Sequence, residues 1–185
     1  MNSKTKLIII IISLIVVIGG GTYLYNVISN LDFTIDNREQ KEESKKAMPE
    51  AIIYDEQDNE INTLTFKGKP TIVNFWTTWC TYCEQEMPSF EKAYNQYKDE
   101  VNFVLVDVLD SQEETKENGI NFKNEHNLSM PIYFDRNHQA VAKYGAPGFP
   151  TTFFIDKNGN IYKIVISMLT EEKLFNYIEN LINVE

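Results

Sequence analysis

Val73-Asn-Phe-Trp-Thr-Thr-Trp-Cys-Thr-Tyr-Cys-Glu-Gln-Glu-Met-Pro88 joins a β-rich apolar run to the start of a helical pattern, and it carries both cysteines of a 185-residue chain. Cys80 and Cys83, separated by two residues, could form a redox pair or supply half of a zinc site. Helix geometry favours the redox pair. A cysteine at a helix N-terminus meets unpaired backbone N–H groups and the positive end of the helix dipole, so its thiolate is stabilised and its pKa falls. Cys83, three positions on, lies one turn further in and close enough to close a small disulfide ring.

Outward from this stretch, Thr71–Trp76 reads as a strand buried on both faces. The helix over about 80–98 sets Met87, Phe90, Ala93, Tyr94 and Tyr97 on one apolar stripe. Pro88 falls inside it, removes one backbone hydrogen bond and is expected to bend it. Upstream, Ala51–Tyr54 and Ile61–Phe66 read as a hairpin around the polar turn Asp55–Asn59. Downstream, Val101–Val108 is a second buried strand. Ser111 with Glu114 reads as a capping box that opens a helix reaching about His126, weakened and open to a break at Gly119. Met130–Asp135 follows as a short strand, Gln139–Tyr144 as a short helix and Gly145–Pro150 as a loop. Thr151–Ile155 and Ile161–Ile166 then flank Asp156-Lys-Asn-Gly159, a hairpin turn. Thr170 caps a last helix, with Glu171 and Glu172 in its first turn and Leu174, Phe175, Ile178, Leu181 and Ile182 facing inward. This order predicts a mixed sheet with helices on both faces, parallel first and antiparallel last.

The first 31 residues have a different character. Lys4 and Lys6 precede an apolar run that begins at Leu7, and no further charge occurs until Asp32. The segment from Leu7 to about Ile28 is long enough to cross a hydrocarbon core of roughly 30 Å. Tyr23 and Tyr25 sit where an interfacial aromatic belt would fall. Gly19-Gly20-Gly21 offers the small residues of a cleaved signal peptide, but no clear Ala-x-Ala site follows, so the segment reads as an uncleaved anchor. The lysines then stay on the cytoplasmic side and the remainder is exported. Residues 32–47 read as a mixed-charge linker without apolar periodicity. The chain as a whole is 43% hydrophobic, enough for a packed core, and carries a net charge of −10. That sign excludes a nucleic-acid binder, since no basic stripe exists to neutralise phosphates.

The element order, the Trp-Cys-x-x-Cys after a buried strand and the Gly148-Phe-Pro-Thr-Thr152 loop before the late hairpin together resemble the thioredoxin superfamily, over about residues 48–184. The chain resembles in particular the membrane-tethered, extracytoplasmic TlpA/ResA-like thiol–disulfide oxidoreductases. Four features carry that likeness: the exported context, the N-terminal hairpin, the insertion holding the 111–126 helix and the 130–135 strand, and the Val73–Pro88 motif itself. The resemblance implies an α/β thioredoxin fold with an extra N-terminal β-hairpin and a central insertion. One transmembrane helix precedes it, so residues 1–31 would be the anchor, 32–47 the linker and 48–185 the thioredoxin-like domain.

It also implies roles for residues. Cys80 is the expected nucleophile and Cys83 the resolving thiol, cycling through a Cys80–Cys83 disulfide. A zinc site would need about four ligands, and only His126 and His138 could add to the count, at unconvincing spacing. In the resembled family an acid at the position of Glu86 is partly buried near the cysteines and helps move protons between thiol and thiolate. Cytosolic thioredoxin uses a buried Asp on the preceding strand, where this chain has Asn74; an amide cannot accept that proton, which leaves the role to Glu86. Pro150 matches the family's cis-proline, where the backbone of Phe149 pairs with an extended substrate segment and keeps metals from the thiols. Trp79 is expected to shape the substrate lip.

The implied activity is reduction of disulfides in exported proteins by a membrane-anchored monomer that needs no cofactor and no metal. A CcdA/DsbD-like membrane protein would supply its electrons. Apocytochrome c or a methionine sulfoxide reductase could be the client, and nothing in the sequence chooses. Thr81-Tyr82 adds no cation to stabilise the thiolate further, which favours a reductant over a DsbA-like oxidase. A copper metallochaperone on the same fold would want Cys-x-x-x-Cys and a well-placed downstream histidine, both absent. The Pro-x-x-x-Thr-x-x-Cys of a peroxiredoxin is absent as well.

Overall fold

A computed structural model describes residues 19–23, 46–110 and 113–183. The expected anchor, apart from 19–23, and nearly all of the charged linker lie outside these residues. No helix among the described residues is long and apolar enough to cross a membrane.

Among the described residues seven strands form one sheet: β1 (Ile52–Tyr54), β2 (Glu60–Asn62), β3 (Thr71–Trp76), β4 (Asn102–Val108), β5 (Ile132–Asp135), β6 (Thr151–Ile155) and β7 (Ile161–Val165). Their order across the sheet is β2-β1-β5-β4-β3-β6-β7. The helices are α1 (Thr81–Tyr97), α2 (Lys116–Glu125), α3 (Gln139–Tyr144) and α4 (Glu171–Ile182). β3 pairs parallel with β4, and β4 with β5. Parallel neighbours need a long crossover, and α1 and α2 supply the two. β6 returns antiparallel to β3, and β7 closes the sheet antiparallel to β6. The β6–β7 turn forms because Asp156 Oδ1 accepts from the Asn158 and Asn160 amides, while Gly159 takes a φ of +84° that favours glycine.

β3 is buried at every position and β4 at all but its first, which explains their nearly continuous apolar sequences. Ile72, Trp76, Phe103 and Leu105 pack on one face with Met87 and Phe90 of α1 and Leu174 and Ile178 of α4. Val73, Phe75, Val104 and Val106 pack on the other with Ala140 and Tyr144 of α3. The extra hairpin docks through β1, which runs antiparallel to β5, so it extends the sheet at the edge the insertion created.

Several boundaries differ from expectation, each for a local reason. The second arm of the first hairpin stops at Asn62, whose side chain caps Leu64 N and turns Thr63–Phe66 into a 3-10 helix. α2 opens later than the expected capping box: Thr115 caps it by accepting from Asn118 N, and Glu114 points inward. Ser111 lies outside the described residues. α2 is unbroken at Gly119, because that glycine serves a close approach. A Cβ there would collide with Asp107 Oδ2 and come within 3.1 Å of the Phe134 ring. β5 begins at Ile132, two residues later than read, and β7 ends at Val165.

Candidate active site

The site forms at the C-terminal end of β3, where the strand hands the chain to α1. Cys80 is the N-cap residue of α1, with an extended backbone, and its Sγ accepts from Cys83 N at 3.2 Å. A sulfur in that place faces the unpaired amides of the first turn, which favours a thiolate. Cys83, one turn in, is fully buried, while Cys80 keeps a small exposed fraction of 7%. The two are joined in a disulfide with their Cα atoms 5.2 Å apart. Of the pair, only Cys80 reaches the surface.

Aromatic residues border it. Trp79 and Tyr82 are 56% and 64% exposed, unusual for side chains of that size. The Trp79 and Phe149 rings meet edge-on at 6.1 Å between centroids, so the loop before α1 and the loop before β6 touch beside the disulfide. The Phe149–Pro150 bond is cis. Tyr82, Phe149 and Pro150, with Ile166 and Met168 from the segment after β7, line an open groove of about 520 Å³. An exposed, mainly apolar groove of this kind suits a protein segment that brings its own side chains.

Glu86 lies beneath. It is buried on α1, and the same side of the sheet presents Asn74 to it: Asn74 Nδ2 donates to Glu86 Oε1 at 2.9 Å and to Thr152 Oγ1 at 2.9 Å. Leu169 N donates to Oε2 at 2.8 Å, tying the acid to the segment before α4. Burial pushes its pKa up to about 7, and the Leu169 and Asn74 donors hold back a larger rise. An acid poised there can both hold and release a proton near neutral pH.

The structure thus brings Trp79, Cys80, Cys83, Phe149 and Pro150 to one end of the sheet, with Glu86 below on α1. Two further buried acids, Asp107 and Glu114, were not among the site residues expected from the sequence. Asp107, on β4 beside Trp76 in register, is fully buried, and neither of its carboxyl oxygens has a partner among the described residues. Burial, and then the charges of Glu114 and Asp110, push it up to about 9. Glu114, also fully buried, accepts from Thr78 N and Thr78 Oγ1, each at 2.8 Å. A lone acid in the apolar run Val101–Val108 was the available signal for Asp107. Glu114 gave none, since its spacing from Ser111 mimicked a cap. The histidines stand apart: His126 stacks on Phe122 and meets Glu84 at 3.3 Å, and His138 bonds Leu109 O.

Comparison with known proteins agrees with this geometry. Residues 44–164 match the AhpC/TSA family. The chain is 32% identical over 146 residues to the thiol-disulfide oxidoreductase ResA of Bacillus cereus, an overlap of 78% of this chain and 82% of that one. The crystal structure of StoA from Bacillus subtilis superposes with a TM-score of 0.61 at 27% identity, over 71% of this chain and 97% of StoA. A thiol:disulfide interchange protein of the thioredoxin family from Chlorobium tepidum shares the fold, with a TM-score of 0.65 at 20% identity over 75% of this chain and 97% of its own. A Cys-x-x-Cys disulfide capping α1, on this sheet and among these relatives, leaves one family: the chain belongs to the AhpC/TSA family and is a thiol–disulfide oxidoreductase of the ResA kind.

Proposed function

We propose that this oxidoreductase works outside the cytoplasm as a reductant of disulfides in exported proteins, with Cys80 as nucleophile and Cys83 as resolving thiol. The observation that carries the assignment is the unequal burial of the pair, with Cys80 on a helix cap keeping the small exposed fraction and Cys83 fully enclosed. In the reduced state the Cys80 thiolate attacks one sulfur of a substrate disulfide, forming a mixed disulfide and expelling the other sulfur as a thiolate. Cys83 then loses its proton and attacks Cys80 Sγ. The substrate's second sulfur leaves, and two electrons have passed to the substrate as the Cys80–Cys83 disulfide closes. Glu86 is the proton carrier for the second step, taking the proton of Cys83 and returning it to a leaving thiolate. Trp79 and the Phe149–Pro150 backbone hold the substrate segment.

Export rests on the N-terminal run from Leu7 with its two preceding lysines, which would hold the enzyme to the membrane as a single-pass monomer. A dithiol in an oxidising compartment stays reduced only if it is continually recharged, so a CcdA/DsbD-like membrane protein is the fitting donor. The test is capture. A Cys83→Ala variant of the full chain, expressed in its own cells, should accumulate mixed disulfides between Cys80 and client proteins, visible as thiol-sensitive adducts; recovery of none removes the reading. The direction is tested by the reduction potential of the pair. A value as oxidising as about −120 mV would make the protein a disulfide former.

A further inference from the structure

Glu114 is far from Cys80 in sequence, yet it grips the segment that leads into it. Its carboxylate crosses 36 residues to accept from both the amide and the hydroxyl of Thr78 at 2.8 Å. Burial raises the pKa of Glu114, and the Thr78 donors hold that rise back. Thr78 and Trp79 are the last residues of the loop that ends β3, and Trp79 is the exposed ring set against Phe149 at the edge of the groove. The loop's own hydrogen bonds are weak. Cys80 N bonds back to Thr77 O at a long 3.3 Å, and the buried Thr77 hydroxyl has no partner among the described residues. Glu114 itself is held from behind, since its own amide and that of Glu113 both donate to Asp110 Oδ1 at 2.8 Å. A fully buried carboxyl group that spends one oxygen on two donors of a single loop ties that loop down, because buried donors that lost it would be left unsatisfied.

From this geometry we propose that Glu114 is a positioning residue for the redox pair, its carboxylate latching the Thr78–Trp79 segment and so setting where Trp79 stands when a protein disulfide docks. The latch acts on substrate presentation and leaves the electron exchange to the cysteines. Glu114 accordingly affects large substrates, which lean on the Trp79–Phe149 edge, more than small ones that need only the sulfur. The inference rests on the disulfide-exchange activity and is independent of its direction, and of Glu86.

The test uses the full chain, recycled by dithiothreitol, with insulin as the protein disulfide and oxidised glutathione as the small one. Loss of a buried hydrogen bond that leaves its donors unsatisfied is worth about tenfold. Glu114→Ala should therefore raise KM for insulin about tenfold with kcat within about twofold, and this rise should exceed that for oxidised glutathione by at least about fivefold. Glu114→Gln, whose amide oxygen can still accept from Thr78, should recover most of the loss. Thr78→Val should raise KM about threefold on its own and add nothing to Glu114→Ala, because the hydroxyl contact it removes is already lost there. An unchanged KM in Glu114→Ala, equal losses for both substrates, or additive losses in the double variant would each overturn the latch. Should Glu114→Ala not fold, the Thr78→Val and Glu114→Gln values decide the matter on the same criteria.

Discussion

Glu86 and Asp107 are two buried acids on the same side of one sheet, on opposite flanks of Trp76, and they have different fates. Glu86 faces Asn74 and Thr152, neighbours in register on β3 and β6, and receives hydrogen bonds from Asn74 and from the Leu169 amide. Asp107 stands on β4 under Gly119 of α2, without a donor among the described residues and with Glu114 and Asp110 as negative neighbours. Burial disfavours the charge of both. The donors around Glu86 return part of that loss and leave it near 7, whereas like charges drive Asp107 further up, to about 9. At neutral pH the first is therefore poised between its two forms and the second keeps its proton. Burial makes an acid unusual; its hydrogen-bond donors decide whether it can work in the enzyme's own pH range.

The largest consequence is in stability. Between about 4 and about 9 the native chain holds a proton on Asp107 that the unfolded chain has lost. The unfolded state binds fewer protons there, so native stability falls as pH rises, by up to about 1.4 kcal/mol per unit. Asp107→Asn cannot titrate and should lose this slope. From pH 5 to pH 8 the variant should gain up to about 4 kcal/mol on the wild type, measured by urea unfolding at each pH. The smaller slope from Glu86 is common to both proteins and cancels in the difference. Parallel pH profiles would mean that Asp107 is ionised in the fold, and the contrast with Glu86 would be gone.

The next effect comes from the glycine that makes room for Asp107. An alanine inside a helix normally improves on glycine by about 0.5–1 kcal/mol. At position 119 the added Cβ would collide with Asp107 Oδ2, and overpacking of this sort costs about 1–3 kcal/mol. Gly119→Ala should therefore destabilise by about 2 kcal/mol in thermal or urea unfolding. Pairing it with Asp107→Ala, which removes the obstructing carboxyl, should restore most of that loss. A stabilised Gly119→Ala protein would show that α2 can lift from the sheet freely.

What was readable in the sequence follows from how local each signal is. The β3–α1 junction, the Asp156–Gly159 turn and the Thr170 cap depend on neighbours within a few residues, and their patterns foretold them well. The Thr63–Phe66 turn was misread as strand because Asn62 caps it from one residue before, which apolar alternation does not register. Glu114 and Gly119 were misread for a deeper reason. Each looked like part of a local helix grammar, a cap and a weak point, whereas each answers to a partner on another element, Thr78 in the one case and Asp107 in the other. The Glu86 site was half legible: its acid could be named from the motif, but the Leu169 amide that binds it lies 83 residues away.

The finest effect is kinetic, and it separates the two acids by function. If Glu86 takes the proton of Cys83, the resolving step needs its carboxylate form and should accelerate as pH rises through about 7. A preformed mixed disulfide on Cys80, followed by stopped-flow release of its thiol, isolates that step. Glu86→Gln should lack the inflection near 7 and run about tenfold slower above it, since an amide accepts no proton. Asp107→Asn should keep the inflection where it is, because Asp107 changes charge only near 9 and is not bonded to Glu86. Persistence of the inflection in Glu86→Gln would remove Glu86 from proton transfer. Its disappearance in Asp107→Asn would mean that the two acids titrate as one system across Trp76, and the distinction drawn from their donors would have to give way to a shared proton.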